Sequence, residues 1–144
     1  MHVVEKGTKK KEGSAPSLQS GVYVFPNGDR YEGDFIVTEG RIERSGTGTQ
    51  HFVDGLVYTG QWKNDKMNGK GEVKYTTKAT YVGDFVDNEC HGMGIYTWPD
   101  GSKYTGPFVH NKLLGTGEFT DTSIRVWCGL FTGKVADGLR LKIS

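Results

Sequence analysis

Tyr58-Thr59-Gly60-Gln61-Trp62, Tyr81-Val82-Gly83-Asp84-Phe85 and Tyr104-Thr105-Gly106-Pro107-Phe108 are three copies of one frame, Tyr-x-Gly-x-aromatic, with a step of 23 residues from 58 to 81 and again from 81 to 104. An earlier copy, Tyr31-Glu32-Gly33-Asp34-Phe35, lies 27 residues before Tyr58, and a later one, Trp127-Cys128-Gly129-Leu130-Phe131, keeps the 23-residue step with Trp in the Tyr position. A fixed period of this size means one supersecondary unit stacked along an axis, with function carried by an extended surface rather than a pocket.

Each central Gly is followed nine residues later by another that opens a second pair: Gly69-Lys70-Gly71, Gly92-Met93-Gly94 and Gly115-Thr116-Gly117, with Gly46-Thr47-Gly48 displaced by a four-residue insertion. Turn dipeptides Asn27-Gly28, Asp54-Gly55 and Asp100-Gly101 precede three of the tyrosines. Such dipeptides accept positive φ and are the strongest short-range hairpin signal. The flanking segments alternate as strands do: Tyr58, Gly60 and Trp62 share one face, Thr59 and Gln61 the other. On the returning strand Gly71, Val73 and Tyr75, and later Gly94, Tyr96 and Trp98, share a face, while Glu72, Lys74, Ile95 and Thr97 point away. Each unit reads as a β-hairpin with one aromatic and one largely polar face, the glycines leaving room for rings such as Tyr75 and Trp98 from neighbouring strands. The rings read as packing, with the alternative that one ribbon of them stays open as a groove for a partner.

Composition narrows the function classes. Glycine is 22 of 144 residues, about twice the usual ~7%, and proline only 4, which excludes collagen and Pro/Gly linkers. Lys and Arg number 18 against 17 Asp and Glu, so a net +1 provides no field to gather nucleic acid or an acidic membrane. The first 20 residues carry +2 through Lys6, Lys9, Lys10 and Lys11 against Glu5 and Glu12, which leaves 14 basic and 15 acidic groups to the repeats. Cys90 and Cys128 are too few and too far apart for a disulfide framework, and no apolar leader or stretch of ~20 apolar residues occurs, so a reducing, cytoplasmic setting is expected.

No grouping asks to be catalytic. His51, His91 and His110 are scattered. Cys90-His91 with His110 offers three conceivable metal ligands but lacks the tight paired spacing of a zinc signature, and the Gly-x-Gly pairs precede no amphipathic helix, so neither metal nor nucleotide cofactor is expected.

These residues resemble the MORN repeat family (membrane occupation and recognition nexus), whose unit is similar to Tyr-Glu-Gly-x-Trp-x-x-Gly-x-x-x-Gly-x-Gly with a later Asp-Gly. The match runs in register from about Gly21 to Gly138 and is closest at Tyr31 to Phe35 and Tyr58 to Gly71. The resemblance implies an all-β fold, an elongated, twisted antiparallel sheet of stacked hairpins with no active site. It also implies a scaffold that grips protein partners along an aromatic groove or pairs with itself, at cytoskeletal, ciliary or flagellar (axonemal) structures. The rings expected to line the groove are Tyr31, Phe35, Tyr58, Trp62, Tyr81, Phe85, Tyr104 and Phe108. The rival reading is a peripheral membrane module recognising anionic phospholipids, which the neutral repeat body opposes, and a third is a homodimer through open sheet edges.

The expected organisation is a disordered basic tail over 1–19, a repeat domain of about five hairpin units over 20–138, and a C-terminal cap over 139–144. Residues 37–45 hold the insertion and read as a protruding, mobile loop. Thr77-Lys78 and Ser123-Ile124 stand where Asp-Gly is expected, so those turns should be built differently or distorted; Pro107 suits an edge or unpaired site. At the end Arg140 takes a glycine site and Leu139, Leu141 and Ile143 fall on the opposite parity, as in a cap with its faces exchanged or a segment that docks elsewhere.

Overall fold

The computed structural model describes residues 2–5, 16–133 and 136–143. The basic stretch Lys9-Lys10-Lys11 of the expected tail lies outside the described residues. Among those described there is no helix, and twelve strands form one antiparallel sheet in chain order. They are β1 His2–Glu5, β2 Gln19–Val24, β3 Arg30–Thr38, β4 Arg41–His51, β5 Val57–Lys63, β6 Lys66–Lys74, β7 Thr80–Val86, β8 Glu89–Thr97, β9 Lys103–Val109, β10 Lys112–Thr120, β11 Val126–Gly133 and β12 Ala136–Leu141. Every strand pairs only with its neighbours in sequence, so the molecule is a ribbon of stacked hairpins.

Two turn designs alternate along the ribbon. At one edge the strands are joined by two-residue tips, Glu39-Gly40, Asn64-Asp65, Asp87-Asn88 and His110-Asn111, in which both residues have positive φ. That geometry matches the right-handed twist of the flanking strands, and Asn and Asp tolerate it. In the last three the second tip residue also reaches back to the preceding hairpin: Asp65 Oδ1 accepts from Arg44 N at 3.0 Å, Asn88 Oδ1 from Met67 N at 2.9 Å and Asn111 Oδ1 from Cys90 N at 2.8 Å. These three tips are thereby latched to the hairpin before them.

At the other edge the turns are longer. Gly28 N–H donates to Phe25 O at 3.0 Å, and the same bond recurs from Gly55 to Phe52, Lys78 to Tyr75, Gly101 to Trp98 and Ile124 to Asp121. Lys78 (φ 79°) and Ile124 (φ 62°) occupy the left-handed position that glycine fills elsewhere. Of the two expectations for those turns, a different construction is corrected and distortion holds: one hydrogen-bond pattern is kept and the non-glycine residue absorbs the strain, which is largest for a β-branched side chain.

Four further segments bear on the sequence reading. The insertion over 37–45 is not a loop, because Val37 pairs Ile42 and Thr38 pairs Arg41, so the extra residues lengthen β3 and β4. Pro107 lies within the sheet, opposite Met93 on β8, and on its β10 side it falls where the register shifts between Leu113 and Glu118, a place that needs no N–H donor. At the N-terminus, His2–Glu5 pairs with β2 and Gln19 opens that strand, so both ends of the stretch read as a tail are extended strand. At the other end a register shift between Cys128 and Leu130 sets Leu141 opposite Trp127 and Arg140 opposite Cys128, which brings the leucines to the aromatic side.

Candidate partner-binding face

The aromatic side is built from one packing motif. Gly60 and Gly71 are cross-strand partners, and a Cβ on Gly71 would lie 2.5 Å from the Tyr58 ring. The same holds for Gly94 beneath Tyr81 and Gly117 beneath Tyr104. The glycine gap is therefore filled by the tyrosine of the same hairpin, lying across it, and not by Tyr75 or Trp98 as the sequence reading had it. Each tyrosine hydroxyl donates to the carbonyl three residues on: Tyr31 to Asp34 O (2.5 Å), Tyr58 to Gln61 O (2.7 Å), Tyr81 to Asp84 O (2.7 Å) and Tyr104 to Pro107 O (2.9 Å). In three of the frames the residue before the final aromatic caps a neighbouring amide: Asp34 accepts from Thr47 N, Gln61 from Lys70 N and Asp84 from Met93 N.

Each Tyr ring then meets the aromatic of its own hairpin, of the next, or of both, edge to face. Tyr58 contacts Trp62 and Phe85 at 5.1 Å each, Tyr81 contacts Phe85 at 5.1 Å and Phe108 at 4.9 Å, and Tyr104 contacts Phe108 at 5.3 Å and Phe131 at 4.6 Å. Tyr31 joins the chain through Trp62 at 5.4 Å. Such pairs contribute about 0.5–1.5 kcal/mol each beyond the area they bury. All eight rings assigned to a partner, Tyr31, Phe35, Tyr58, Trp62, Tyr81, Phe85, Tyr104 and Phe108, are 0–4% exposed. This corrects their role: they are the core of a single-layer sheet, and the hydroxyl of Tyr58 is pushed up to about 12 by that burial.

What remains accessible is a second aromatic row beside the first. Phe52, Tyr75 and Trp98 each precede a long turn and repeat the 23-residue step; the next position is Asp121. With Tyr96 and Phe119 they are half-buried, and their rings touch in series: Tyr75–Tyr96 at 5.9 Å, Tyr96–Trp98 at 5.0 Å and Trp98–Phe119 at 5.7 Å. Two adjoining cavities of about 320 and 260 Å³ share Trp98, Leu113 and Gly133 and together form a trough from Tyr75 to Leu139. The period that reveals Phe52, Tyr75 and Trp98 was present in the sequence, but nothing in it marks these rings as the open ones.

Toward β4 the face turns polar. Arg44 stands where later hairpins place Met67, Cys90 and Leu113, opposite the final aromatic of the frame. Its guanidinium donates to Asp65 Oδ1 (2.7 Å), Asp65 O (3.0 Å) and Gln50 Oε1 (3.1 Å), and it stacks 4.5 Å over the Trp62 ring. Gln50, 1% exposed, takes the place of Val73 and Tyr96, so a polar cluster replaces an apolar one there.

The three conceivable metal ligands are not brought together. Cys90 points to the aromatic side, where burial raises its thiol to about 11, whereas the His91 and His110 rings lie 5.1 Å apart, tilted by 58°, and His110 Nδ1 lies 3.3 Å from Glu89 Oε1. Among the described residues no group of three or more His, Cys, Asp or Glu could hold a metal ion. No helix among them is long and apolar enough to cross a membrane.

This architecture defines a β-hairpin repeat protein. The MORN repeat profile matches residues 20–30, 58–80 and 81–103, in register with β2, the β5–β6 hairpin and the β7–β8 hairpin, and supports the MORN repeat family for this chain. No curated protein matches it. Among solved structures it is similar to the SAS-4 (dCPAP) TCP domain of Drosophila melanogaster, in complex with a proline rich motif of Ana2 (dSTIL). The identity is 13% over 86% of this chain and 72% of that one, with a TM-score of 0.49. A likeness of that size carries no argument about ligands.

Proposed function

We propose that the chain is a non-enzymatic scaffold that holds a segment of a partner protein in the trough between Tyr75 and Leu139. The supporting observation is that trough: an open run of half-buried rings beside the row of aromatic side chains sealed in the core. Aromatic side chains already fixed by packing lose little further freedom on binding, which favours their use as anchors. Within the MORN repeat family, Met67-Asn68-Gly69-Lys70-Gly71 and Leu139-Arg140-Leu141-Lys142 are similar to the small proteins called MORN repeat-containing protein 2. The cellular address that goes with this reading is cytoplasmic, on the cytoskeleton or in a cilium or flagellum.

A photo-crosslinking residue placed at Trp98 should capture a protein partner in ciliated cells, and one placed at Thr59 on the opposite face should not. Trp98→Ala with Phe119→Ala should abolish capture through a crosslinker at Tyr75 while the far-ultraviolet circular dichroism stays β-like. Equal labelling at both positions, or capture unchanged in the double variant, would overturn the assignment. Co-sedimentation with anionic vesicles that depends on Trp98 would favour the membrane reading instead.

A further inference from the structure

Earlier along the ribbon the chain fills the counterpart of the trough with a cation of its own. On β4 the Arg44 guanidinium lies 5.3 Å from the Phe25 ring and 4.5 Å from the Trp62 ring, and it donates to Asp65 Oδ1, Asp65 O and Gln50 Oε1. Each of these groups has a counterpart two repeats on. Strand pairing equates Arg44, opposite Phe35, with Cys90, opposite Phe85, and Gln50, opposite Tyr58, with Tyr96, opposite Tyr104. Two 23-residue steps carry Trp62 to Phe108 and Asp65 to Asn111. Phe25 corresponds to Tyr75, because each precedes a long turn and accepts the N–H three residues on.

All five counterparts, Tyr75, Cys90, Tyr96, Phe108 and Asn111, line the cavity of about 320 Å³. Cys90 is too short to reach between the two rings, so the volume that the guanidinium fills on β4 stands open on β8. The polar surroundings persist in altered form. Asn111 Oδ1 takes the Cys90 N–H at 2.8 Å as Asp65 Oδ1 takes that of Arg44 at 3.0 Å, and a carboxylate returns behind Asn111, whose Nδ2 donates to Glu89 Oε2 at 3.4 Å. No Lys or Arg lines this cavity.

We propose that the cavity receives an arginine side chain of the partner protein, its guanidinium held between the Tyr75 and Phe108 rings as Arg44 is held between Phe25 and Trp62. The assignment rests on the trough being the partner site. A planar guanidinium stacks on aromatic faces and sheds water more easily than an ammonium, so arginine is selected over lysine. The adjoining cavity of about 260 Å³, around Trp98, Leu113 and Phe131, is the next counterpart of the same place, but Phe119, opposite Trp127, takes the position of Tyr96 and Gln50. Without a polar group in that row it takes an apolar side chain, two strands or roughly 10 Å further along.

The full chain, labelled with nitrogen-15 and titrated with N-acetyl-arginine amide, should show its Cys90 and Asn111 amide resonances shift in the low-millimolar range. N-acetyl-lysine amide and N-acetyl-norleucine amide should bind about tenfold more weakly. Tyr75→Leu should weaken arginine binding about fivefold. Cys90→Arg should fill the cavity from within, abolish the shift at Asn111 and block capture through a crosslinker at Trp98; should that variant fail to fold, the Tyr75→Leu comparison and the lysine control still decide. Equal binding of the three probes, shifts confined to residues outside the trough, or arginine binding indifferent to Tyr75→Leu would overturn the assignment. Arginine-selective shifts without capture at Trp98 would remove the scaffold reading and keep the guanidinium site, whereas capture at Trp98 unaffected by a folded Cys90→Arg would do the reverse.

Discussion

Gly94→Ala isolates the packing motif that holds the ribbon together. Gly94 has no positive φ, so its backbone suits any residue, and what forbids a side chain is the Tyr81 ring, 2.5 Å from where the Cβ would stand. Tyr81 is fully buried, donates to Asp84 O at 2.7 Å and meets Phe85 and Phe108 at 5.1 and 4.9 Å. Displacing it loses about 1 kcal/mol of hydrogen bond, about 1–2 kcal/mol from two ring pairs, and adds about 1–2 kcal/mol of overpacking strain. The expected loss is about 3–5 kcal/mol, read by urea denaturation followed by far-ultraviolet circular dichroism. The control is the same change in a Tyr81→Leu background, where the methyl has no ring to displace and should cost under about 1 kcal/mol. A loss below about 1 kcal/mol in the native background, or equal losses in both, would refute the account of why the second glycine recurs.

Three other outcomes follow from the geometry. Ile124→Gly should raise stability by about 1 kcal/mol in thermal melts, since a β-branched residue is relieved of φ 62° at a site already 82% exposed. Arg44→Met should destabilise by about 1–3 kcal/mol because Gln50 Oε1 loses its buried donor, whereas Arg44→Met with Gln50→Val, which copies the Met67 and Val73 arrangement of the next hairpin, should regain most of that in the same denaturation assay. Asp121, held down to about 2 chiefly by the Trp127 indole N–H and also by Arg125, contributes stability that is complete above the ordinary carboxylate pKa near 4 and is lost as pH falls through about 2; an acid titration of Asp121→Asn should be flatter in that window than the parent.

The 23-residue step and the Gly-x-Gly pairs made the antiparallel hairpin stack legible, because the second glycine of each pair answers to a tyrosine ring lying across it and the first takes a positive φ. Legibility stopped at which rings are covered. Alternation assigns Tyr58 and Tyr75 to one side equally, and only the fit of Tyr58 over Gly60 and Gly71 decides that the first is sealed and the second left half-open. The tips Asn64-Asp65 and Asp87-Asn88 escaped notice because they reach positive φ without glycine, drawing support from bonds to the hairpin before. Residues 37–45 looked like a loop through their charges, yet Glu43 and Arg41 are strand residues pairing Ile36 and Thr38. The outer face was read as largely polar with Ile95 already placed on it, but Thr59, Gln61, Glu72 and Lys74 of the β5–β6 unit do not represent the units after it, where Val82, Met93 and Leu130 are also exposed.

Strictly sequential pairing has a mechanical corollary. Tension applied between the two ends of such a ribbon meets no shear clamp made by distant strands, so it should open the outermost hairpin first and travel inward, one latch of the Asn88 or Asn111 kind at a time. Under load the molecule would therefore lengthen in nearly equal increments, each the contour of one repeat, and behave as an extensible tether rather than a brittle strut.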